Sequence, residues 1–121
     1  MNELALLFLL GIRGDGDMVT EVMLNDVHIK VTGYQEEVMK SKKTGNELHK
    51  ISFDFKVRSG EEYHKITTLL YEKTFDVKVP ENNLEFRGTI NHYSTSITNL
   101  YKENAVGDFK LELIEVDREK L

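Results

Sequence analysis

From Lys50 to Arg58 the chain alternates without a break, with Ile51, Phe53, Phe55 and Val57 on one side and Ser52, Asp54, Lys56 and Arg58 on the other. Successive side chains of a strand point to opposite faces, so this run reads as a strand with one core face and one wet face. Such a strand needs neighbours for its backbone edges and cover for its apolar face. The rest of the chain offers both. Period-two patterns recur at Val19 to Leu24, Val27 to Gln35, Phe75 to Val79, Leu84 to Ile90 and Asp108 to Asp117. Their inward sets include Val27, Ile29 and Val31, then Phe75, Val77 and Val79, then Leu84, Phe86 and Ile90, then Phe109, Leu111 and Leu113.

The connections support this reading. Asn25-Asp26 tolerates positive φ and predicts a hairpin between the first two strands. Gly33 continues the inward face and marks a bulge or a close approach. Pro80 to Asn83 makes a tight turn. Ile114 and Val116 place apolar groups on the second face of the last strand, which points to burial on both sides or a bulge there. Lys40 to Asn46 has no periodicity and reads as a mobile loop, and Asn91 to Tyr101 fits no regular element.

The period changes once. After Ser59-Gly60, Tyr63, Ile66, Leu69 and Leu70 recur at helical spacing, which predicts one amphipathic helix over Glu61 to Lys73. Ser59 stands three residues before Glu62, the spacing of a capping box. Glu61 and Lys65 form a favourable i, i+4 pair, and Lys73 complements the dipole at the far end. The expected fold is mainly β, a small, partly closed, barrel-like antiparallel sheet with one amphipathic helix; a helix packed on one open antiparallel sheet, an α+β arrangement, is the alternative.

With 121 residues, 40% hydrophobic and 31% charged, the chain has material for one core and no more. It has no repeat and no low-complexity tract. Residues 18–117 form the expected single domain, residues 1–17 an upstream extension with Met18 as natural start, and 118–121 a tail. Leu4 to Ile12 is very apolar but too short for a membrane span, and it lacks the basic flank and cleavage site of a signal peptide. There is no cysteine, which removes disulfides, thiolate metal sites and thiol nucleophiles and fits a cytoplasmic location.

Motifs for chemistry are sparse. His28, His49, His64 and His92 show no metal-ligand spacing, and no metal or cofactor is expected. Ser94 or Ser96 with His64 or His92 would suit a hydrolase, yet side chains two apart on a strand lie beyond hydrogen-bond reach, and no nucleophile elbow is present. The carboxylate pairs Glu36-Glu37, Glu61-Glu62 and Glu112 with Glu115 read as solvated charge. Tyr34, Tyr63, Tyr71, Tyr93 and Tyr101 would suit a stacking platform for single-stranded nucleic acid, but the net charge of -5 opposes it. No catalytic residue is assigned.

Several blocks do carry a resemblance: Tyr34-Gln35-Glu36-Glu37, Leu70-Tyr71-Glu72-Lys73-Thr74-Phe75 with Val79-Pro80-Glu81, Phe86-Arg87-Gly88, and Tyr93-Ser94-Thr95-Ser96 with Thr98-Asn99-Leu100-Tyr101. Across Tyr34 to Asp117 the chain resembles the YkvR-like family, small proteins of Bacillus-type bacteria classed as a domain of unknown function. The loop from Lys40 to His49 is longer than is usual there, and the first 17 residues have no counterpart. The resemblance implies a mainly β, barrel-like fold in a bacterial cytoplasm and implies no reaction. The expected function is a non-catalytic binding or interaction module with a protein or small-molecule partner, no nucleic acid and no membrane, and self-association is compatible with it. Its candidate surface is Arg87, His92, Tyr93, Ser94, Ser96, Asn99 and Tyr101.

Overall fold

The computed structural model describes residues 19–96 and 105–118. Residues 1–17, expected above to be an extension, lie outside them, as do Asn99, Tyr101 and residues 119–121. In chain order the elements are β1 (Glu21–Leu24), β2 (Val27–Lys30), β3 (Gly33–Lys40), β4 (Glu47–Arg58), α1 (Glu61–Leu70), β5 (Thr74–Val79), a 3-10 turn (Pro80–Asn82), β6 (Leu84–Ser96) and β7 (Val106–Glu115). Among the described residues the strands form one seven-stranded sheet in the order β2-β1-β5-β6-β7-β4-β3, antiparallel throughout.

The alternation in β4 does what it predicts. Ile51, Phe53, Phe55 and Val57 are buried and meet Phe109, Leu111 and Leu113 of β7 and Phe75, Val77 and Val79 of β5 in one core. Asn25 and Asp26 both take positive φ, as the tight β1–β2 hairpin demands. Asn83 closes the turn before β6 in the left-handed region, with φ 53°. The sheet coils over its apolar face, and α1 covers the remaining side through Ile66, Leu69 and Leu70.

The barrel is the first correction, for the sheet is open. Val31 and Thr32 send adjacent amides to different partners: Val31 N donates to the Thr20 carbonyl at 3.0 Å and Thr32 N to the Asp54 carbonyl at 2.8 Å. From Gly33 onward the chain runs beside β4, while the segment before it runs beside β1. Closure would require β2 to extend the β3 ladder along β4. It is committed to β1 instead, and no ladder joins the two.

The single long strand read over Val27 to Gln35 is therefore two. β6 runs on through the region left unassigned, as far as Ser96, with a register shift between Ile90 and His92 that leaves Asn91 unpaired. That bulge lies in β6, whereas the second apolar face of β7 had suggested one in β7. Gly33 is no bulge but a close approach, since a Cβ there would stand 2.8 Å from Asp54 Oδ2.

The helix is shorter than Glu61 to Lys73. Tyr71, Glu72 and Lys73 turn their amides back onto Thr67, Leu69 and Leu70, and Lys73 adopts φ 69°. Lys73 thus lies past the helix end. The capping box is also absent: Gly60 is the N-cap with no side-chain cap, and Glu62 reaches back to accept the Arg58 amide at 2.6 Å.

The loop between β3 and β4 is tied down. Asp117 accepts from Ser41 Oγ at 2.5 Å, Thr44 Oγ1 at 2.9 Å and Asn46 Nδ2 at 3.2 Å. Aperiodicity predicts a mobile loop here; the segment is instead held by a carboxylate more than 70 positions away. The lysine side chains of Lys40, Lys42 and Lys43 remain exposed.

Candidate functional site

β6 carries every described member of the candidate surface, yet the strand divides them. Tyr93 pairs with Leu111 and shares its side of the sheet, while His92 pairs with Glu112 and Ser94 with Lys110. His92, Ser94 and Ser96 therefore sit on the outer face and Tyr93 on the inner one. Arg87 is outward too, held by Asp76 at 2.9 Å.

Tyr93 stands over Phe109, with ring centroids 6.0 Å apart. It lines a groove of about 490 Å³ with Thr67, Leu70, Tyr71, Lys73 and Ile90. Burial, and secondarily the neighbouring Tyr63, push its hydroxyl above the usual tyrosine range. Ser94 and Ser96 line a separate recess of about 410 Å³ with Thr32, Asp54, Asp108 and Lys110.

His92 shares the outer face with Ser94 and Ser96, yet the serine–histidine reading finds no hydrogen bond to rest on. Ser96 Oγ accepts the Asp108 amide at 3.0 Å, and among the described residues no hydrogen bond joins Ser94 or Ser96 to a histidine. His64 lies exposed on α1. Two histidines bind carboxylates: His28 Nδ1 lies 2.8 Å from Glu21, and His49 Nδ1 lies 3.1 Å from Glu115 with its ring stacked on Phe86. Among the described residues no three His, Asp or Glu side chains converge as metal ligands.

A larger feature lies where the sheet fails to close. Past Thr32 and Asp54, β2 and the second half of β4 splay apart and leave a wedge of about 590 Å³. Val27, Ile29, Phe55, Val57 and Ile66 supply its apolar walls. Lys30, Lys56, Arg58 and Lys65 stand around it, with Glu62 as the opposing carboxylate. Lys56 is paired with Asp108, whereas Lys30, Arg58 and Lys65 have no ion-pair partner among the described residues. A chain of net charge -5 thus carries a basic rim at an apolar opening. The wedge suits a ligand with an apolar body and negative groups.

Sequence reasoning missed this site although one signal was present. His28 and Lys30 alternate with Val27 and Ile29, and Lys56 and Arg58 with Phe55 and Val57, so two strands each carry a basic wet face. That these faces flank one opening depends on the partner switch at Val31–Thr32.

Comparison with known proteins gives a consistent family and no activity. Residues 21–120 match the family model described as "Protein of unknown function (DUF3219)". The chain is 47% identical over 95 residues to the uncharacterized protein YkvR of Bacillus subtilis (strain 168), an alignment that covers 78% of this chain and 91% of the relative. All the blocks on which the sequence resemblance rests fall within that family match.

Proposed function

For this chain, which belongs to the DUF3219 family of proteins of unknown function, we propose a non-catalytic binding module of the bacterial cytoplasm whose receiving surface is the wedge between β2, β4 and α1. One observation carries the reading: the sheet leaves an apolar opening between two splayed strands and surrounds it with cations. The described residues contain no helix long and apolar enough to cross a membrane, and the lack of cysteine accords with a reducing compartment.

Tyr93 supports a second surface, because its groove is bordered by Tyr71, which is 85% exposed. Solitary exposed aromatics are common, but two beside one recess form a patch.

Titration with 8-anilinonaphthalene-1-sulfonate, an apolar anion, separates the two. The wedge reading expects amide shifts centred on Ile29, Lys30, Lys56, Arg58 and Ile66, weakened in the R58E/K65E variant. Shifts centred on Thr67, Tyr71 and Tyr93 would transfer the function to the second surface, and no localised shift at all would overturn both.

A further inference from the structure

We propose that the occupant of the wedge is an extended acidic peptide that adds a strand to the free edge of β2; the proposal rests on the wedge being the binding surface. Adjacent residues of a strand send their backbone groups to opposite sides. Val31 N bonds to Thr20 on the β1 side and Thr32 N to Asp54 on the other. The register Leu24↔Val27 and Val22↔Ile29 continues that alternation. His28 and Lys30 must therefore turn both N–H and C=O toward the wedge. Among the described residues no backbone bond satisfies them.

The opposite wall is similar. Asp54 turns its carbonyl to the wedge side, so Lys56 does likewise, and the Arg58 amide on that side is already capped by Glu62. Donors and acceptors alternating at two-residue spacing are what another strand supplies, and what a lipid or a simple anion does not. Every second side chain of an added strand would face Phe55, Val57 and Ile66, and the others would meet Lys30, Arg58 and Lys65. Alternating apolar and acidic residues fit both demands. Lysines are a common guard on free edges; here they would repel basic strands and admit acidic ones.

The test uses the full chain, with an alternating Val–Glu octapeptide, its Val–Lys counterpart and dodecanoate as probes. The expected result is binding of the acidic peptide alone among the peptides, with exchange of the His28 and Lys30 amides slowed about tenfold or more. In the K30E/R58E/K65E variant, whose changes all lie on exposed side chains, that binding is lost. Equal binding of the basic peptide overturns the acidic specificity. Amide shifts at the wedge with dodecanoate but with neither peptide overturn the strand proposal and leave the wedge as the binding surface. No response to any probe overturns both. Slow exchange at His28 and Lys30 before any probe is added means that a second copy or another segment of this chain already holds the edge, which overturns the proposal as well.

Discussion

The hydroxyl of Tyr34 donates to Glu36 Oε1 at 2.8 Å, two positions along the same edge strand. Asn82 Nδ2, on the turn before β6, reaches that same oxygen at 2.6 Å. One carboxylate thereby ties edge strand β3 to the turn between β5 and β6, across the coiled sheet. Side chains make this link where backbone ladders do not close.

Tyr34→Phe should cost about 0.5–1.5 kcal/mol, the usual worth of one such hydrogen bond. The alkaline behaviour should change with it. Burial first, then hydrogen bonding to and repulsion by Glu36, raise the Tyr34 pKa far above its ordinary value, with Asn82 opposing. A raised folded-state pKa means a contribution fully present below the unfolded value, about 10, and lost as pH climbs above it. Wild type should lose stability above that point more steeply than Tyr34→Phe. Parallel denaturation profiles for the two would refute the assignment.

Asp117→Asn should loosen the β3–β4 loop. Hydrogen bonding from Ser41 chiefly, then from Thr44 and Asn46 with the charge of Lys43, holds the Asp117 carboxyl below the ordinary aspartate range against a smaller desolvation effect. A depressed folded-state pKa contributes stability above the unfolded value, near 3.9, that disappears as pH falls through the folded one. Amide exchange at Thr44 and Asn46 should quicken in the variant at neutral pH, and in wild type only on acidification below about pH 4. Unchanged exchange at neutral pH would show that Asp117 does not order the loop.

Gly88→Ala tests packing on β6. A Cβ there would lie 2.8 Å from Phe86 Cε2 and 3.1 Å from Val77 Cγ2, in the buried layer. Overpacking of this kind typically costs about 1–3 kcal/mol. Thermal unfolding should show the loss, and a neutral result would mean that the Phe86 ring has room to turn aside.

Two truncations probe the sheet and helix faces separately. Phe53, 1% exposed, and Leu69, 8% exposed, belong to one core. Phe53→Ala should cost about 3–5 kcal/mol and Leu69→Ala about 2–5 kcal/mol by cavity formation. Lys42→Ala, on an exposed side chain, should stay within about 0.5 kcal/mol. Denaturant midpoints that fail to separate Lys42→Ala from the other two would contradict the assigned core.

Local periodicity settled a large part of this protein before any neighbour was known. The faces of β4, the inward sets of β5 and β7, the Asn25-Asp26 hairpin and the helical stripe of Ile66, Leu69 and Leu70 all follow from side-chain direction, which is a property of the strand or helix itself. The family was legible too, in the blocks around Tyr71, Arg87 and Tyr93.

Tertiary structure alone decided the partner switch at Val31–Thr32, the extension of β6 past its bulge at Asn91, and the hold of Asp117 on the loop. Each depends on contacts between residues far apart in the chain, to which a local pattern is blind. The wedge follows from the first of these. Alternation says which way Lys30 and Arg58 point, and only the parting of β2 from β4 brings their basic faces around one apolar opening. Backbone amides behave likewise: the sequence supplies one at every residue past the first except Pro80, and the fold alone determines that those of His28 and Lys30 are left without a partner strand among the described residues.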